Sequence, residues 1–281
     1  MRVWAESMLT TITRGMTAVL FGWLAIAGMP RAVAAEVPAH ATFTIDSTVL
    51  SEVRHINVYT PPDYLAATAT RYPVLYMLDG GLAEDFPHVA RDVDAAIRAN
   101  RMRPMIVVGI ENTERRRDMT GPTTVASDRA IAPHVGGSFA FREFIADELM
   151  PQVRERYRTN GKTAIVGESL AGLFVVETFL LQPSLFDTYV ALSPSLWWNH
   201  MALARGADAR LKAWPGLRRT LYFATASDDD IGDASGMMQT ALHTTAPQGL
   251  HWSYQAWPEL HHDNIYIKAS PAVFRQLFPP E

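Results

Sequence analysis

Ser169 stands in the run Gly167-Glu168-Ser169-Leu170-Ala171-Gly172, between the β-branched stretch Thr163 to Val166 and an apolar helical pattern from Leu170 to Leu181. A serine hydroxyl is a weak nucleophile near neutral pH unless a base takes its proton. Exposure is the other requirement, and a sharp strand-to-helix turn supplies it. Strand and helix backbones approach closely at such a turn, so the residues two before and two after the serine must be small. Gly167 and Ala171 meet that condition. The spacing points to covalent chemistry at a nucleophile elbow with Ser169 at its tip.

A serine of this kind needs a hydrogen-bonded base and, usually, an acid that fixes the tautomer of the base. Where a nucleophile elbow is used, the partners follow in the chain order Ser, acid, His. Asp228, Asp229 and Asp230 follow Ser227, just past the strand pattern Thr220 to Thr225, at the strand end where ligand sites of open sheets lie. Asp229 is the expected acid, because one or two residues must clear the strand before a side chain can turn across the sheet top. Asp228 and Asp230 are the alternatives, and a plain acidic turn or helix N-cap is the structural reading of all three. Past the next strand pattern, His261 and His262 are both placed to serve as base. A metal site built from His261, His262 and Asp263 is disfavoured, since adjacent loop side chains seldom converge on one ion. Nothing in the sequence indicates a metal or an organic cofactor. An acyl-transfer intermediate also needs two N–H donors for its oxyanion. The N–H of Leu170, just after the serine, is one; Gly81, closing Leu78-Asp79-Gly80-Gly81, is the expected second.

These residues must be held by a framework, and the chain has 281 residues with 48% hydrophobic content, enough for one sizeable core. A net charge of −4 gives no polybasic field for nucleic acid or an anionic membrane surface. There is no cysteine, which removes disulfide, thiolate and lipoprotein chemistry. Arg2 and Arg14 precede an uncharged run, Met16 to Met29, and the small residues of Pro30 to Ala35 follow. That order is the order of a cleaved export signal, and 14 residues fall short of the roughly 20 that span a bilayer. The expected organisation is a signal peptide over 1–35 and one catalytic domain over 36–281, periplasmic or secreted, with no stable membrane insertion after cleavage.

Within that domain, Ala41 to Asp46 and Val53 to Thr60 alternate like strands, and Tyr72 to Leu78, Met105 to Ile110 and Thr163 to Val166 are continuous apolar runs suited to buried parallel strands. Tyr189 to Leu192, Thr220 to Thr225 and Leu250 to Ala256 complete the strand patterns. Helical patterns cover Phe86 to Ala99, Phe139 to Tyr157, Leu170 to Leu181, Ser235 to Thr244 and Ala272 to Phe278. The alternation predicts an α/β fold, a mostly parallel central sheet with helices on both faces. Arg115 to Val135, the longest irregular piece, is expected to form a functional rim.

Taken together, Tyr72 to Gly80, Arg117 to Thr120, Gly136 to Ile145, Glu148 to Pro151, Gly167 to Gly172, Phe186 to Asn199 and the His262 region span nearly all of the chain after residue 40. In these pieces the chain resembles the putative-esterase branch of the α/β-hydrolases, which includes siderophore (enterobactin-type) esterases. Ala171 departs from the commoner glycine of that motif. The resemblance implies the α/β-hydrolase fold and hydrolysis of carboxylic esters, siderophore-type or aromatic, by Ser169 and His262, with Gly81 and Leu170 as oxyanion donors. It favours His262 over His261, because His262-Asp-Asn-Ile is similar to the segment that closes such esterases. Some siderophore esterases of this type work as a Ser-His dyad, which bears on Asp229. Arg117 matches a basic position near the substrate cleft, against the structural reading of a pair with Asp118. An acyltransferase or thioesterase is the alternative activity, since the motif does not reveal the acyl acceptor.

Overall fold

The computed structural model describes residues 37–227 and 232–280. Eight strands form one sheet: β1 His40–Ser47, β2 Glu52–Tyr59, β3 Tyr72–Met77, β4 Ile106–Ile110, β5 Thr159–Glu168, β6 Thr188–Leu192, β7 Thr220–Ala226 and β8 His251–Trp257. Their spatial order is β1-β2-β4-β3-β5-β6-β7-β8, with β1 and β2 antiparallel to their neighbours and every pairing from β4 to β8 parallel. The reversal of order around β3 and β4 puts a topological switch point beside β5. In open sheets, sites form at the C-terminal ends of strands near such a point.

The apolar runs became the central strands for the reason the sequence suggests. Every residue of β4 is buried, and alternate residues of β3 serve opposite faces. Val74, Tyr76 and Leu78 join one core, and Leu75 and Met77 join the other. Helices cover both cores. On one face lie α1 (Phe86–Arg98) and α10 (Ile265–Leu277), where α1 buries Phe86, Val89, Ala90, Val93 and Ala96, the stripe expected of an amphipathic helix. The other face carries α4 (Ser138–Glu143), α5 (Met150–Arg156) and α6 (Leu170–Leu181). Here α6 is buried from Leu170 to Leu180 on every side, which is why its sequence is apolar without a polar stripe.

Several expectations shift in detail. The helical pattern of Phe139 to Tyr157 is one run, α4 into α5, interrupted by a π-helical segment at Phe144–Leu149. The last helix starts at Ile265, seven residues before the expected start, and runs through Pro271. The proline reads as a breaker, yet Ile265, Tyr266 and Ala269 ahead of it are buried and hold the first turns in place. The piece from Arg115 to Val135 contains two single-turn helices, α2 (Arg115–Asp118) and α3 (Ala126–Arg129). Two further helices were not expected, α7 (Trp198–Arg205) and α8 (Ala207–Lys212), and α9 is Gly232–Thr245. Asn199, His200 and Met201 at the entry to α7 have positive φ, a run of left-handed residues that no propensity argument anticipates. Among the described residues no helix is long and apolar enough to cross a membrane.

Candidate active site

Ser169 sits between β5 and α6 with φ 60 and ψ −121, a conformation that a side chain adopts only when its surroundings enforce it. Three backbone bonds do so. Its N–H donates to Leu192 O at 3.1 Å, and its carbonyl accepts from Ser195 N–H at 3.0 Å and Leu173 N–H at 2.9 Å. Packing requires the glycines around it. A Cβ at Gly167 would lie 2.6 Å from the Ala171 backbone, and one at Gly172 would lie 3.0 Å from Leu192 O and Pro194 Cα. The elbow read from the sequence is therefore present, and its tip carries the hydroxyl.

His262 comes from the turn between β8 and α10. That turn is closed by Leu260 N–H to Trp257 O at 3.0 Å, Ile265 N–H to His261 O at 2.9 Å and His261 N–H to Asn264 Oδ1 at 3.1 Å. His262 Nε2 lies 3.0 Å from Ser169 Oγ. Neutral imidazole with its proton on Nδ1 can accept the hydroxyl proton at that distance. The neighbouring His261 turns the other way, its Nδ1 3.4 Å from Ser227 Oγ. Of the two histidines, the structure brings only His262 to the serine. Ser195 Oγ is also close, 3.4 Å from Ser169 Oγ. Asp229, with Asp228 and Asp230, lies outside the described residues.

Leu170 is the first residue of α6, where N–H groups have no carbonyl within the helix to bind. Gly81 lies beyond the end of β3, and its N–H donates to Glu84 Oε2 at 2.7 Å. The same carboxylate accepts from Asn112 Nδ2 at 2.9 Å. A carboxyl oxygen is thus already seated on the N–H that the sequence nominated as an oxyanion donor.

Arg117 makes its bonds away from the serine. Its Nη2 is 2.7 Å from Glu52 and its Nε 2.7 Å from Asp118, in a cluster that also includes the fully buried Arg54, 2.6 Å from Asp118. Arg115 is the arginine that reaches the elbow. It grips Asp79 with Nε at 2.6 Å and Nη2 at 2.9 Å, and Nη2 approaches the Glu168 carbonyl at 3.4 Å. Asp79, at the end of β3, has φ 52 and accepts from Asn112 as well. Glu168 completes the group, with Oε1 3.2 Å from His262 Nε2. Burial pushes its carboxyl up to about 8, against the pull of His262 and Arg115. None of Asp79, Arg115 and Glu168 was singled out from the sequence. Only Glu168 carried a signal there, as the residue next to the serine.

The chain and its architecture have counterparts among known proteins. The family model described as "Putative esterase" matches residues 47–248. The chain belongs to this putative esterase family. Among its relatives is the ferri-bacillibactin esterase BesA of Bacillus subtilis (strain 168), 32% identical over 157 residues, covering 49% of this chain and 52% of the relative. The chain thus spans about half the length of that relative. The apo-salmochelin esterase of Escherichia coli O6:H1 is 26% identical over 250 residues, covering 79% of this chain and 73% of its own. An IroE-like serine hydrolase from Shewanella oneidensis superposes with a TM-score of 0.76 at 27% identity, over 85% of this chain and 80% of that one. The central sheet and its helices are those of an α/β-hydrolase.

Proposed function

We propose that the protein is a serine hydrolase of carboxylic esters, with Ser169 as nucleophile and His262 as general base. The observation that carries this reading is the 3.0 Å approach of His262 Nε2 to a hydroxyl on a positive-φ elbow. Ser169 Oγ attacks the ester carbonyl while its proton passes to Nε2, and the ring returns that proton to the departing alkoxide. Water then enters by the reverse sequence and releases the acid. Leu170 N–H and Gly81 N–H hold the oxyanion; for Gly81 this requires the Glu84 carboxylate to move off first. Asp229 is the acid that orients the imidazole in this scheme. Comparing D229N with D228N and D230N assigns it, a single severe loss marking the residue that orients the ring.

Membership of a family whose relatives include bacillibactin and salmochelin esterases supports a siderophore-type ester as the substrate. The order of charge, apolar run and small residues in 1–35 supports an exported protein whose mature chain begins near Ala35 or Glu36. A hydrolysis panel tests the substrate: ferric and iron-free trilactone siderophores, feruloyl esters, short p-nitrophenyl esters and acyl thioesters. Preference for the trilactones is expected. Thioesters hydrolysed faster than every oxygen ester would overturn the assignment.

A further inference from the structure

Glu168 belongs to the elbow, one residue before Ser169, yet its carboxyl turns to the same ring nitrogen that the serine uses. Oε1 is 3.2 Å from His262 Nε2, and that nitrogen is 3.0 Å from Ser169 Oγ. Oε1 is buried and makes no hydrogen bond, so its approach to the ring is a through-space contact to one side of the Ser–His bond. A ring nitrogen carries either one proton or one lone pair. What the carboxyl and the ring hold between them therefore decides whether Nε2 can accept from the serine.

We propose that Glu168 and His262 share a proton, so that Glu168 sets the pH at which His262 can take the proton of Ser169 and, once ionised, stabilises the imidazolium formed during acyl transfer. The proposal rests on the serine-esterase reading of the same site. With one proton on the pair, that proton is on Nε2 or on Oε1. In the first arrangement the ring cannot act as a base. In the second, the ring is neutral but the acid beside it is uncharged and cannot stabilise the imidazolium formed when the serine gives up its proton. Losing that proton leaves a neutral ring beside a carboxylate, and the serine then faces a free lone pair. As Oγ bonds to the carbonyl carbon, its proton moves to Nε2, and the positive ring lies beside a negative oxygen until the proton leaves with the alkoxide.

The groups around Glu168 fit this role. Arg115, from α2, is the nearest cation besides the ring, but its Nε and Nη2 are committed to Asp79. Asp79 after β3 and Asp85 before α1 oppose ionisation of Glu168, and the buried Tyr266 of α10, itself uncharged, adds no cation. Burial is the largest influence, and with these neighbours it holds the carboxyl at about 8.

The test is the pH dependence of kcat/KM for p-nitrophenyl acetate, from pH 5 to 10, with the wild type and E168Q. The expected wild-type limb lies above the ordinary histidine value of about 6.5, and in E168Q it falls by about one pH unit or more because a neighbouring negative charge is gone. Identical limbs would overturn the proposal, including the case where E168Q loses rate equally at every pH, the mark of a merely structural residue. NMR titration of the His262 ring in wild type and E168Q gives the same comparison without turnover. An enzyme that hydrolyses no ester therefore sinks the esterase reading while the pair is still read out. Should E168Q not fold, the wild-type titration decides alone: two coupled steps sensed by His262 support the pair, and one ordinary step contradicts it.

Discussion

Glu52 and Glu168 are both part-buried carboxyls near an arginine, and they respond in opposite directions. Burial opposes ionisation at Glu52 too, but hydrogen bonds from Arg117, Thr113 and Arg54 hold its carboxyl down at about 2. Glu168 has an arginine within reach, yet Arg115 directs its guanidinium at Asp79, and the Glu168 carboxyl rises to about 8. Proximity of a cation is therefore not what sets the charge of a buried acid. Donors aimed at its oxygens are. The first cluster is closed around the oxygens of its acid, although Arg54 Nε is buried without a hydrogen-bond partner, and it pins the α2 segment to β2, while the second leaves an acid with an unfilled oxygen beside the Ser169–His262 pair. A closed ionic cluster should influence stability, and the open one should influence chemistry.

The largest effect belongs to the open side. Ser169→Ala should lower kcat for ester hydrolysis by on the order of 10³ to 10⁶ with the fold intact. His262→Ala should be nearly as damaging, and His261→Ala much milder, since only His262 lies against the serine. Steady-state kinetics with circular dichroism as the fold control reads both. A reversed histidine ranking would move the base and break the comparison at its active half.

The closed side should give the opposite pattern. Asp118→Asn leaves the buried Arg54 charge without its closest carboxylate and should cost about 3 kcal/mol in urea unfolding, with kcat of the folded fraction unchanged. Arg117→Ala should cost about 1 kcal/mol, because its side chain is 21% exposed and water replaces part of what is lost. KM for an anionic ester should stay within about twofold in that variant, since the guanidinium is occupied by Glu52 and Asp118. A tenfold rise in KM would make Arg117 a substrate contact, as the family resemblance suggested.

A pH-dependent effect sharpens the contrast by sign. A carboxyl held at about 8 in the fold, against an ordinary 4.5, keeps its proton where the unfolded chain has lost it. Its contribution to stability is complete below pH 4.5 and is lost as pH rises through about 8. Glu168→Gln removes that dependence. Thermal melting should show the variant gaining on the wild type as pH moves from 5 to 9, and a constant difference across that range would contradict the shift.

How much of this was legible in the sequence follows from the range of each interaction. The elbow could be read because its demands are local: Gly167 and Gly172 lie within three residues of Ser169, where strand, turn and helix meet. The central strands could be read because burial on both faces leaves an uninterrupted apolar run, as in β4. His262 could be read only with its neighbour as a rival, because the choice depends on which way one turn faces. Asp79, Arg115 and Glu168 could not be joined from sequence, since three separate segments bring them together at the C-terminal ends of the central strands and none has a distinguishing spacing. The same limit hid α7, whose left-handed entry at Asn199 to Met201 is imposed by contacts such as Asn199 N–H on Asp128 at 2.8 Å. The start of α10 was hidden by Pro271, whose local preference is overruled by burial upstream.

The most direct test of the proposed site is covalent. A fluorophosphonate reagent should add to the protein once, and peptide mass spectrometry should map the adduct to Ser169. Labelling should vanish in Ser169→Ala and slow severely in His262→Ala, because the reagent uses the same nucleophile and the same base as an ester. An adduct on any other residue, or ester turnover above about a tenth of wild type in Ser169→Ala, would contradict the assignment of Ser169 as the nucleophile.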